Sequence, residues 1–282
     1  MKKLAIFILL FIGMLLLQRE LDARRVEHGC ANTSVPLPEP CYLRALSLGH
    51  EEMVSDFYWV KAVLYEGTEG IDRDYRYFSS MIDLVTELDP YFQYPYIFGS
   101  VILSIVANDP EGSDRLLLDG FAFHRDAWRF PFGLGYNAYF HHGDPRDAAR
   151  YLSMAATLEG CPAYVPRLAS RLYTESGSID VAIRFLATLV REMEESEERR
   201  ILETRIEALK MIQHLEENVA RYREETGQNP QQLSDLVQAG YLQCVPNDPY
   251  GGRFCLDENG TVYSTSKLRP PATHEDKGGY MQ

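Results

Sequence analysis

Apolar and polar positions alternate along this chain mostly at helical spacing, interrupted at short intervals by turn-forming residues. An unbroken apolar run over residues 4–17 follows Lys2 and Lys3. Residues 50–66 carry Met53, Phe57, Val60, Ala62, Val63 and Leu64 as a broad helical stripe. Residues 75–88 repeat that character and stop at Asp89-Pro90; residues 94–107 follow and break at Asn108-Asp109-Pro110. Their partner helix is expected over 114–125. From residue 194 a charge run opens a longer helix reaching about residue 225, in which Leu202, Ile206, Leu209, Ile212, Leu215, Val219 and Tyr222 recur three or four apart. That is one apolar stripe on a charged rod, and the charge run itself reads as a solvated face. Gly227 ends this helix, and a short one restarts at Pro230 through Leu233, Leu236 and Val237. Two strands are expected over 253–256 and 261–264, because Asn259-Gly260 between alternating apolar residues is a hairpin signal. Helix upon helix with short polar breaks implies antiparallel helices stacked side by side.

An internal repeat sharpens this picture. Gly143-Asp144 and Gly177-Ser178 each sit between two helical segments, and the same offset links Tyr139 to Tyr173, Ala148 to Ala182 and Leu152 to Leu186. The offset is that of a helix-turn-helix unit of about 34 residues. Small Ala148 and Ala182 let the two helices of a unit approach, Tyr139 and Tyr173 fill the groove between them, and Gly143 and Gly177 let the backbone turn. Upstream, Leu84-Val85-Thr86-Glu87-Leu88-Asp89-Pro90 is similar to the closing phrase of such a unit, with Tyr96, Gly99 and Leu103 at packing positions of the next. On these residues the chain resembles a tetratricopeptide-repeat protein over residues 45–195. A second resemblance covers residues 200–267. There a long helix is followed by Tyr222, Gly227, Pro230, Leu233 and Leu236, then Val245-Pro246, Asp248-Pro249 and Gly251. This resembles the globular end of type II secretion pseudopilins and type IV pilins. The pilins' own N-terminal apolar helix, with its Glu and processing site, is missing, so a filament subunit is not expected.

The expected fold class is mainly α: a tetratricopeptide-like α-solenoid with an N-terminal membrane anchor and a small C-terminal α+β hairpin module. The expected divisions are an anchor or signal segment (1–17), a linker (18–44), helical repeats (45–195), a long capping helix (196–226), a small pseudopilin-like module (227–267) and a disordered tail (268–282). The apolar run is short for a hydrocarbon core of about 30 Å and fits a secretory signal as well as a minimal anchor. Gln18 to Arg25 offers no small-x-small cleavage site, which favours an uncleaved anchor in the inner membrane with the body in the periplasm. A cleaved signal is the alternative.

Composition constrains partners. With 282 residues, 45% of them hydrophobic, the chain can bury a sizeable core. Its formal charge of -13 repels phosphate backbones, so no nucleic acid is expected as a partner. Of five cysteines, Cys30 and Cys41 bracket a Pro-rich loop, and Cys244 and Cys255 bracket a turn-rich stretch. Each pair is a candidate disulfide in an oxidising compartment, although sequence alone does not fix connectivity. Cys161 is left over.

Catalytic motifs are missing: there is no G-x-S-x-G, H-E-x-x-H, Walker loop or EF-hand loop. No catalytic residue, metal or cofactor is assigned. Gly133-Leu134-Gly135 reads as helix packing. His141 and His142 point about 100° apart on a helix and are poorly placed to ligate together. Asp248, Asp257 and Asn259 supply oxygen atoms suited to calcium, but Asp and Asn are turn formers first. Trp59 and Trp128 are assigned to the core. Repeat arrays bind partners on the face lined by the first helix of each unit. The tetratricopeptide register implies Tyr94, Ile97, Phe130, Asn137, Phe140, His141, Tyr164, Arg167 and Arg171 on that face. Phe130 and Phe140 fit core and groove equally. Arg167 and Arg171, four apart on one helix face, are surface candidates that suit a peptide bearing an acidic group. The expected function is a non-enzymatic protein-binding scaffold or assembly factor in the inner membrane facing the periplasm. Its expected partner is a peptide or pilin-like component of a type II secretion or type IV pilus-like machine. An envelope hydrolase with an unrecognised site, or a self-associating structural protein, are the other readings.

Overall fold

The computed structural model describes residues 13–14, 36–68, 73–257 and 259–268. The chain is mainly helical, with one small antiparallel hairpin near its end. It divides into two compact units, one ending at His124 and the other beginning at Arg125. The stretch expected to carry the repeats, 45–195, includes residues of both units.

The first unit contains α1 (Pro40–Ser47), α2 (Glu51–Gly67), α3 (Tyr75–Leu88), α4 (Gln93–Val101), which runs on as a wider π-turn (Ile102–Val106), and α5 (Pro110–Phe123). The α3 helix starts where the Asp74 carboxylate accepts from the backbone N–H groups of Arg76 and Tyr77, satisfying donors that a helix start leaves open. It stops at Asp89-Pro90 because proline has no N–H to continue the ladder. Its inward face supplies the core: Phe78, Met81, Ile82 and Val85 are all buried, with Leu103 and, from α5, Leu116 and Leu117.

The α2 helix departs from expectation. It turns small Ser55 and Ala62 inward and leaves Met53, Phe57, Val60 and Leu64 exposed by 68%, 60%, 54% and 63%. The reason is close approach: Ser55 donates its hydroxyl to the Val85 carbonyl at 2.9 Å, a contact that a larger side chain would prevent. The apolar stripe read from the sequence is thus largely the outer face of α2.

The second unit contains α6 (Arg129–Phe140), α7 (Pro145–Ala156), α8 (Val165–Glu175), α9 (Ile179–Glu192), α10 (Glu197–Thr226), α11 (Leu233–Gln238), β1 (Phe254–Leu256) and β2 (Val262–Ser264). From α6 to α10 each helix packs on the one before it. The turns α6–α7 and α8–α9 pass through Gly143 at φ +66° and Gly177 at φ +70°, left-handed conformations that a Cβ disfavours. Ala148 and Ala182, at equivalent places in α7 and α9, are fully buried, and Leu152 and Leu186 are buried beside them. Removing such a leucine from water stabilises the fold by about 1.5–3 kcal/mol. Tyr173 is buried with its hydroxyl 3.2 Å from that of Ser153, and Tyr139 donates to Glu175 at 3.2 Å.

A second cluster joins Ile212, Leu215 and Val219 of α10 to Leu233, Leu236, Leu242, Phe254 and Val262. The hairpin pairs Phe254 with Ser264, Cys255 with Tyr263 and Leu256 with Val262. One Asp257 oxygen accepts from the N–H groups of Asn259 and Thr261 and closes its turn.

The membrane-anchored fold class needs correction. The anchor expected over residues 1–17 lies almost wholly outside the described residues, and among the described residues no helix is long and apolar enough to cross a membrane. A crossing helix needs about 20 apolar residues, whereas the longest described helix, α10, is densely charged. The inner-membrane location and the membrane as a partner lose their support with the anchor. Most of the expected linker, and the tail beyond residue 268, lie outside the described residues. So does Cys30, while Cys41, Cys161, Cys244 and Cys255 are free thiols, so the Cys244–Cys255 bridge is not formed in this structure.

Candidate functional site

In the second unit, α6 repeats an aromatic side chain at every fourth position: Trp128 at its N-cap, then Phe132, Tyr136 and Phe140. A spacing of four keeps these rings on one side of the helix. Trp128 meets Phe132 edge-on at 5.6 Å between centroids, and Tyr136 meets Phe140 at 4.6 Å. The first three are half-buried, and Phe140 is 64% exposed. Arg129 lays its guanidinium 5.0 Å from the Trp128 ring, a favourable cation–π geometry.

The row continues onto the next hairpin. Tyr164, the N-cap of α8, faces Phe132 at 6.4 Å. Arg167 and Arg171 follow Tyr164 by three and seven positions, so one face of α8 carries all three. Between the arginines lies Ser170, buried, with its hydroxyl donating to the Arg167 carbonyl at 2.8 Å.

Into this place α10 sends Arg205, which is 6% exposed. Its Nε donates to the Ser170 hydroxyl at 2.5 Å and an Nη donates to the Leu268 carbonyl at 3.3 Å. The Tyr250 phenol lies close enough to Arg205 to favour its charged form. Burial pulls the Arg205 guanidinium below its ordinary range; Tyr250 opposes that, and repulsion from Arg167 and Arg171 adds to it. Burial likewise pushes the Tyr250 phenol up, against the pull of Arg205 and Arg167. Among the described residues, no carboxylate forms an ion pair with Arg167, Arg171 or Arg205.

The residues expected on the binding face separate into groups. Phe140, Tyr164, Arg167 and Arg171 are exposed or half-exposed and lie on the surface just described. His141, half-buried at the end of α6, places its ring 6.2 Å from Tyr136. Phe130 is fully buried and Asn137 is 1% exposed, so both serve the core. The Asn137 carbonyl accepts from the N–H groups of His141 and His142 and helps close α6. Tyr94, 71% exposed, and half-buried Ile97 belong to the first unit. Sequence reasoning passed over Phe132, Tyr136, Arg205 and Tyr250; Trp128, assigned to the core, is half-buried and packs against it. The four-residue aromatic spacing was the available signal for the α6 row; nothing local points Arg205 at α8.

Two other polar clusters of this unit are internally satisfied. A cleft of about 300 Å³ beside α7 is lined by Asp144, Arg146, Asp147, Arg150, Tyr173 and Val181. There Arg150 pairs with Asp147 at 2.8 Å, and Asp144 caps α7. Buried Asp248 accepts from the hydroxyls of Ser264 and Ser266 and from the Tyr250 N–H. Its oxygens thus hold the turn before β1, and the Asp257 oxygen holds the hairpin turn, which is the turn-forming alternative to calcium ligation. Burial pushes the Cys161 thiol up to about 11, away from the thiolate a nucleophile needs.

Compared with protein-family models and with curated proteins, the chain matches none.

Proposed function

We propose that this chain is a non-enzymatic protein-binding module, built around two tetratricopeptide-like hairpins, α6–α7 and α8–α9. The observation that carries this reading is the continuous surface made by the first helix of each hairpin. The aromatic row of α6 reaches Tyr164, beyond which α8 presents Arg167 and Arg171. Rigid aromatic side chains and arginines supply much of the energy at protein interfaces. A row with one side packed and the other open meets a partner with little ordering cost. Catalysis is the weaker reading because the shifted Asp248, Glu216 and Cys161 are tied into the fold or unreactive. Asp248 locks a turn, Glu216 accepts from the Val262 N–H, and Cys161 is shifted in the unreactive direction. The small module after α10 caps that helix by covering Ile212, Leu215 and Val219.

The test is site-specific photo-crosslinking in cells. A photoreactive side chain at position 140 or 171 gives a discrete adduct with a protein partner, and one at exposed Thr188, on a second helix, does not. Equal labelling from all three positions, or none from any, overturns the reading.

A further inference from the structure

We propose that Arg167, Arg171, Arg205 and Tyr250 form a binding site for an oxyanion, either a carboxylate or a phosphate. That the group is carried by a protein partner rests on the function proposed above; the anion site itself does not.

A buried guanidinium is costly unless it is paired, and this chain, with 41 acidic against 28 basic residues, has carboxylates to spare. Elsewhere it uses them: Arg115 meets Asp83 at 3.1 Å, Arg184 meets Asp180 at 2.8 Å, and Arg199 meets Glu203 at 2.9 Å. Those pairs are at the surface. Among the described residues, buried Arg205 bonds only neutral groups, a serine hydroxyl and a backbone carbonyl, with the Tyr250 phenol nearby. They fix the guanidinium plane without neutralising it. Arg167 and Arg171 then add two like charges to the same place, which raises the cost.

An oxyanion resolves this conflict. It would offset three charges at once, and the planar fork of an arginine matches the oxygen spacing of carboxylate and phosphate groups. Division of labour follows from exposure. Arg205 is held rigidly at the base by Ser170 and Leu268, whereas half-buried Arg167 and exposed Arg171 can close from the solvent side. Tyr250 adds a hydroxyl that any phenol keeps protonated at neutral pH, with the Asp248 carboxylate, itself bound by Ser264 and Ser266, on its other side. A purely structural tie between α8 and α10 would need Arg205 and Ser170 alone, and would be weakened rather than helped by two further arginines.

The experiment follows the arginine Nε–H signals of the ¹⁵N-labelled full chain by NMR. Inorganic phosphate and, separately, succinate are added at constant ionic strength. The Arg205 Nε–H signal is expected to shift saturably with at least one of them. In the R167Q/R171Q double variant, affinity is expected to fall about tenfold or more, a loss of about 1.4 kcal/mol, while the thermal midpoint holds or rises because repulsion is relieved. Tighter phosphate binding identifies a phosphorylated partner group, and tighter succinate binding identifies a carboxylate. No saturable shift with either anion, or equal binding by the double variant, overturns the site. Because the probes are small ions, the titration can succeed where crosslinking finds no partner, and fail where it finds one.

Discussion

Gly135 on α6 lies so close to Leu152 on α7 that a Cβ added to the glycine would stand 2.9 Å from the leucine Cγ and 3.2 Å from the Ala148 carbonyl oxygen. The two helices touch at this point almost backbone to side chain. Substituting Gly135→Ala improves helix propensity by about 1 kcal/mol. Overpacking costs about 1–3 kcal/mol, and here the neighbours are a branched carbon and a backbone oxygen, neither of which yields cheaply. The expected net effect is a destabilisation of about 1 kcal/mol, seen as a lower urea midpoint with an unchanged slope. A midpoint equal to or above that of the parent would show that α6 and α7 can move apart freely.

The turn before the hairpin should make stability depend on pH. Burial alone would raise the Asp248 carboxyl. Hydrogen bonds from Ser264, Ser266 and the N–H groups of Tyr250 and Gly252 outweigh it, and the net position is below the usual range. A depressed folded-state pKa means that the contribution is complete above the unfolded value, about 3.9, and is lost as pH falls through the lower folded value. Asp248→Asn keeps the size but turns an acceptor into a donor facing other donors. It is expected to cost about 2–3 kcal/mol at pH 7 and to flatten the stability profile below pH 4. Equal acid sensitivity in parent and variant, measured by urea unfolding from pH 7 to pH 2.5, would remove Asp248 as its source.

What was legible in the sequence was local and periodic. The bounds of α3 follow from Asp74 and Pro90, and the α6–α9 hairpins from the matching glycines and alanines, because caps, turns and small contact residues act within a few positions. The hairpin β1–β2 was announced by Asn259-Gly260. What was not legible depends on which surface a helix meets. The stripe on α2 has helical period whichever way it faces, and only the contact of Ser55 with Val85 shows that the smaller side is inside. Phe130 and Phe140 look alike in sequence, yet one is fully buried and the other 64% exposed. Arg205 reads as one more charge on a charged rod, since Ser170 lies on a different helix.

Cysteine labelling checks burial in the second unit. The Cys161 thiol is pushed up to about 11 by burial, so its thiolate fraction at pH 8 is about two orders of magnitude below that of an ordinary thiol. Cys41 and Cys244 are exposed. With iodoacetamide at pH 8 and peptide mass spectrometry, Cys41 and Cys244 are expected to be modified well before Cys161 in the folded chain, and all three at similar rates in urea. Fast modification of Cys161 without denaturant would contradict its placement between α7 and α8.

Two phenylalanines of the first unit lie at opposite depths. Phe78 is fully buried on α3, packed 6.3 Å from the Phe98 ring, whereas Phe57 on α2 is 60% exposed. Truncating a buried phenylalanine loses its transfer energy and leaves a cavity, about 3–5 kcal/mol in all. Truncating an exposed one usually changes stability by less than about 0.5 kcal/mol. Phe78→Ala should therefore unfold the first unit at much lower urea, followed through Trp59, whose ring lies 5.4 Å from Phe98. Phe57→Ala should leave that transition in place. If Phe57→Ala cost as much as Phe78→Ala, the α2 stripe would be buried after all, and the inward placement of Ser55 and Ala62 would be reversed.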